Sequence, residues 1–82
     1  LQLANAKWAA GFAFLRDKRP KEGRECCLEG IEISKKDLDL NHDSTVEILC
    51  KLYNVLASNA TSLGLENEAE DALSSSHELA KG

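Results

Sequence analysis

Leu49, Leu52, Tyr53, Leu56, Ala57, Ala60 and Leu63 recur at three- and four-residue steps, the spacing that lines one face of an α-helix. After Gly64 the rhythm resumes with Ala69, Ala72, Leu73 and Leu79, with acidic residues between them. The pattern predicts two helices folded back across Leu63-Gly64-Leu65, with Gly64 in the left-handed conformation that ends a helix without a Cβ penalty. Glu66 or Asn67 then opens the second of them, and Glu68, Glu70 and Asp71 lie near its positive end.

The first half repeats the scheme less regularly. Residues 1 to about 18 read as a helix with Leu3, Ala6, Ala10, Ala13 and Phe14 on one face and Trp8, Phe12 and Leu15 on an adjacent one. Pro20 ends that segment and suits the first turn of a second helix, where its missing N–H costs nothing. The second helix carries Gly23, Cys26, Cys27, Gly30, Ile31 and Ile33, running towards Leu38. Each glycine gives up about 1 kcal/mol of helix propensity relative to Ala, so close approach of another helix is the physical reason to keep them. Asp37-Leu-Asp-Leu-Asn-His-Asp43 breaks the pattern, and Asp43 or Ser44 is placed to cap a third helix. The expectation is an all-α fold of four helices in two antiparallel helix–turn–helix hairpins, the first over 2–39 and the second over 44–81. Together they make a single domain over 1–82.

Composition agrees with this. Among 82 residues there is one Pro and no Met, and Ala, Leu, Glu and Lys dominate, as helices prefer. A chain of this length supports one small domain with little core to spare. It opens at Leu1 within an apolar-periodic segment and reads as a piece of a longer protein. No window has the apolar length that crosses a bilayer, and no cleavable leader pattern is visible, so no membrane partner is expected.

Charge divides the chain. Residues 1–36 carry eight basic against five acidic side chains, and residues 37–82 carry two against nine. The basic cluster Arg16, Lys18, Arg19, Lys21 and Arg24 lacks interleaved aromatics and belongs to an acidic chain, which argues against nucleic acid and for a solvated turn. Three cysteines, Cys26, Cys27 and Cys50, cannot all pair internally. With no Cys-x-x-Cys spacing and with His42 and His77 isolated, a metal site has no support. Reduced thiols acting as small apolar groups point to a reducing, intracellular and cytoplasmic setting.

The two halves echo one another. Tyr53, Leu56, Ala57, Ala60, Ala69, Leu73 and Ser76 fall on the tetratricopeptide pattern, and in the first half Ala10, Gly11, Phe14, Gly23, Cys27 and Gly30 do so. The chain therefore resembles two tandem tetratricopeptide repeats covering essentially all of it. Three departures stand out. Lys7 takes the first aromatic position with Trp8 one place late, and Asp17-Lys-Arg-Pro20 replaces the usual Leu-Gly turn. Gly11 and Ala57 lie 46 positions apart, against a family period of about 34.

The resemblance implies a non-catalytic scaffold that binds another protein, as a peptide or a helix, in a groove lined by the first helix of each repeat. On this register the groove takes Asn5, Trp8, Ala9, Phe12, Leu15 and Arg16 from the first repeat. From the second it takes Lys51, Asn54, Val55, Ser58, Thr61 and Ser62. Trp8 and Phe12 are the expected anchors. They equally suit packing against neighbouring repeats or a homodimer, which makes a helical oligomerisation domain the first alternative. The resemblance also implies a Lys/Asn clamp for acidic chaperone tails, but its positions fall on Trp8, Phe12 and Val55, so that ligand is not expected.

Other chemistry finds less footing. Residues 37–43 match the opening of a calcium loop, yet His42 stands at the glycine position and Ile48 at the bidentate-acid position, which favours a solvated linker over the second alternative, a regulatory domain binding calcium through this loop. Asn59-Ala-Thr61 is formally a glycosylation triplet but falls mid-helix. No nucleophile–base pair, carboxylate pair or phosphate loop is visible, so neither catalysis nor a cofactor is expected.

Overall fold

In a computed structural model, described over residues 2–36 and 42–81, the chain forms four helices: α1 (Gln2–Arg16), α2 (Pro20–Lys36), α3 (His42–Ser62) and α4 (Glu66–Lys81). No strand occurs among the described residues, and the fold is all-α. α1 pairs with α2 and α3 with α4 as two antiparallel hairpins, joined by α2 against α3 and by α1 against α3. The result is a plate of 34 × 24 × 15 Å, two helices thick. The proposed calcium loop lies mostly outside the described residues. α3 begins at His42, before the expected cap, so Asp43 stands inside its first turn, where a carboxylate complements the helix dipole.

Both hairpins turn in the same way. The Arg19 amide donates to the Phe14 carbonyl at 2.7 Å, and the Leu65 amide donates to the Ala60 carbonyl at 2.8 Å. Each bond spans five residues and closes a helix end over one left-handed residue. That residue is Lys18 with φ 63° in the first turn and Gly64 with φ 79° in the second. Lys18 and Gly64 are 46 positions apart. The same offset links Arg16 to Ser62 at the first-helix ends and Pro20 to Glu66 at the second-helix starts. The long period read from Gly11 and Ala57 thus holds through the turns. The extra residues lie in the connection between the hairpins and in the helical turns beside it.

The core is centred on α3. Leu49, Leu52, Leu56, Ala57 and Ala60 are buried, with Cys27 and Ile31 of α2, Ala4 of α1, and Ala69 and Ala72 of α4. Four sequence expectations fail here. On α1 the buried residues are Ala4 and Gly11, while Leu3, Ala6 and Ala13 are exposed; a helix so rich in Ala offers several equivalent faces, and close packing selected the one bearing glycine. Leu63 lies in the turn and is exposed, and Leu73 is 52% exposed because no helix among the described residues covers that side of α4. Val55, assigned to the groove, is buried against α1, with Cγ1 3.6 Å from where a Gly11 Cβ would stand.

Glycine makes the seam between the hairpins. A Cβ on Gly23 would stand 2.5 Å from Asn59 Oδ1, and one on Gly30 would stand 2.8 Å from Leu52 Cδ2. Both distances are shorter than nonbonded atoms tolerate, so α3 rests directly on the α2 backbone at these two points. Asn59 is fully buried there; its Nδ2 donates to the Val55 carbonyl at 3.0 Å and to the Gly11 carbonyl at 3.5 Å.

One ion pair spans the plate from α2 to α4. Arg24 Nε and Nη2 donate to the two Glu68 carboxylate oxygens, each at 2.7 Å. These hydrogen bonds hold the Glu68 carboxyl below its ordinary value of 4.5, against a smaller opposing effect of burial. A lowered folded-state pKa stabilises the fold above the unfolded-state value, and that contribution is lost as pH falls through the folded one. The side chains remain 33% and 28% exposed, so solvent screening limits the pair to about 1 kcal/mol. Glu68→Gln is therefore expected to lower stability by about that amount at pH 7. The difference from wild type should vanish as the solution is acidified below the carboxylate range. Urea unfolding at neutral pH and at pH 3 checks this; a constant difference would remove the ion pair from the account.

Candidate protein-binding surface

Trp8, Phe12 and Arg16 follow one another at four-residue steps on α1, each one turn beyond the last. Trp8 is half-buried against the core, and Phe12 stands 44% exposed beside it. Their ring centroids are 6.3 Å apart with planes tilted by 31°, a favourable aromatic arrangement. Arg16 places its guanidinium carbon 5.9 Å from the Phe12 centroid. From the neighbouring hairpin, Lys51 places its ammonium 5.3 Å from the Trp8 centroid. Both cations lie within the range of attraction by a ring face. The four side chains form a continuous ladder, Lys51–Trp8–Phe12–Arg16, that crosses from α3 to α1.

The ladder is electropositive at both ends. Lys51 is 3.6 Å from Glu47 on its own helix, but both side chains are largely exposed, so a competing carboxylate meets little resistance. Arg16 has no carboxylate within ion-pair distance among the described residues. Lys7, one residue before Trp8, is held by Glu29 of α2 at 3.2 Å.

The remaining expected residues divide into two groups. Asn5 is exposed one turn before Trp8 and extends the α1 stripe, whereas Leu15 is half-buried on its inner edge. Asn54 and Ser58 are exposed on α3, but they line a separate shallow groove with Thr61 and Leu73. The Ser58 hydroxyl donates to the Asn54 carbonyl at 3.3 Å. The expected groove is thus two surfaces: a ladder joining α1 to α3, and a hollow between α3 and α4. Sequence reading placed Leu73 in the core and missed the hollow. The signal was present, since Leu73 occupies the register position of Cys27, which is fully covered only because α3 lies over it.

Burial pushes the Cys27 thiol up to about 12, with Cys26 adding to the rise, and burial likewise raises Cys26. All three cysteines are free. No group of three His, Cys, Asp or Glu side chains able to hold a metal occurs among the described residues. No described helix is long and apolar enough to cross a membrane. Neither a family model, nor a curated protein, nor a solved structure matches the chain.

Proposed function

We propose that this chain is a non-catalytic, tetratricopeptide-like scaffold module that binds a peptide or helix of another protein across α1 and α3. The observation that carries the reading is the Lys51–Trp8–Phe12–Arg16 ladder. An apolar strip flanked by cations suits a segment with an aromatic or aliphatic anchor between acidic residues. Phe12 supplies exposed anchor area and Trp8 a rigid floor, while the cations choose the partner's charge and hasten encounter. Free thiols suit a reducing intracellular compartment.

Binding of acidic, aromatic-containing peptides, followed by fluorescence anisotropy, tests the reading. Trp8→Ser with Phe12→Ser is expected to remove about 2 kcal/mol or more of binding free energy, a loss of at least about thirtyfold. Helical circular dichroism of the free variant should persist, since Phe12 is exposed and Trp8 only half-buried. Undiminished peptide affinity in the folded double variant would refute the ladder as the binding surface. Conversion of a dimer to a monomer by the same variant, with no peptide bound by either form, would favour the oligomerisation alternative.

A further inference from the structure

The internal seam carries its own translation along the chain. In it, Leu52, Val55 and Asn59 of α3 rest on Gly30, Gly11 and Gly23 of the first hairpin. Moving forward by the 46-residue offset, the same receiving face on the second hairpin consists of Ser76, Ala57 and Ala69, with Leu73 in the place of Cys27. Ala57, Ala69 and Ser76 are themselves buried, and hollows between α3 and α4 open beside them, lined by Ala57, Ser58, Thr61 and Leu73 and continuing past Ser76 and His77. Nothing among the described residues fills these hollows, and Leu73 is 52% exposed at their wall.

Moving backward by the same offset, the inserting face of α3 corresponds on α1 to Ala6, Ala9 and Ala13. All three are exposed. An outer helix face normally carries charge, yet between Gln2 and Arg16 only Lys7 and the terminal Arg16 are charged. The two open faces also match in size. Within the seam, large inserting side chains meet glycines. At the ends, small inserting side chains meet a floor enlarged to Ala and Ser with Leu73 projecting from it. Charge agrees as well, since the half bearing α1 is net basic and the half bearing α4 is strongly acidic.

We propose that copies of this chain associate head to tail, with α1 of one copy lying in the α3–α4 hollow of the next, as α3 lies on the first hairpin within each copy. The contact is heterologous, so each copy keeps one free head and one free tail and growth continues. It uses the Ala6/Ala13 side of α1 rather than Trp8 and Phe12, and so stands apart from peptide binding by the ladder.

Sedimentation velocity over a concentration series to about 1 mM, the regime of weak association, tests the proposal with two surface variants. Ala6→Glu blocks the head and Leu73→Glu blocks the tail; both positions are exposed and helical, so both variants should fold. The wild-type chain is expected to form a ladder of oligomers that recedes with added salt, and each variant alone to associate at least tenfold more weakly. Mixing the two should restore a 1:1 dimer and nothing larger, because one contributes only a tail and the other only a head. Trp8→Ser with Phe12→Ser should leave the oligomers in place even where it abolishes peptide binding. A wild-type chain that remains monomeric would overturn the proposal. Unchanged association of the Leu73→Glu variant, or failure of the mixture to pair, would overturn it too.

Discussion

Leu52→Ala should be the most destabilising single truncation, costing about 3 kcal/mol, within the range for buried leucines. Leu52 is fully buried, and its two Cδ atoms reach across the seam to the Gly30 backbone. Removing them opens a space beside the Gly30 backbone, where Lys7 Cβ of α1 also packs closely. A domain of this size has on the order of 4–12 kcal/mol in all, so the loss takes a large share. The thermal midpoint should fall by more than about 10 °C. Because Leu52 couples the hairpins, its loss should also broaden the transition, as weakened interfaces do in stacked repeats. Calorimetry reads both effects. A shift of less than about 0.5 kcal/mol, the size of an ordinary surface change, would show that α3 is not seated on α2 at this point.

Gly23→Ala comes next, and its sign is the informative part. In an exposed helix this change stabilises by up to about 1 kcal/mol. Here the added methyl would stand 2.5 Å from Oδ1 of Asn59, with the amide carbon at 2.8 Å. Asn59 is fully buried and tied by Nδ2 to the Val55 carbonyl, so it has no free direction in which to yield. Overpacking of this kind costs about 1–3 kcal/mol, enough to reverse the propensity gain. The expected outcome is a net loss of about 1–2 kcal/mol by urea unfolding. In the background of Asn59→Ala the same Gly23→Ala change should become neutral or stabilising. Gly23→Ala that stabilises the otherwise unaltered chain would mean that α3 does not rest on the α2 backbone there.

These contacts explain what the sequence revealed and what it hid. The four helices were legible because their ends are local chemistry: Pro20 at the start of α2, Gly64 at the turn, acidic first turns. The long period was legible because small residues recur at fixed offsets. The first turn was harder to read, since Lys18 adopts a backbone conformation that its residue type does not advertise. The inward face of α1 was misread because alanine gives almost no contrast between a buried and an exposed position. Leu73 was placed inside because periodicity reports which side of a helix is apolar, not whether anything lies over it. The ladder was half legible: Trp8 and Phe12 declared themselves, but their pairing with Lys51 needed the lateral approach of α3 to α1.

The amide of Asn59 is an address label. Most of what holds α3 in place is oily surface and missing side chains, and such surface would accept any helix of suitable girth at several heights. The Nδ2 bond to the Gly11 carbonyl breaks that degeneracy. Sliding α3 by one turn would break the bond to the Gly11 carbonyl, while the bond to the Val55 carbonyl of its own helix would travel with it. On α1 the residue at the same register is Ala13, which carries no side-chain amide. The inner junction is written for one neighbour in one position.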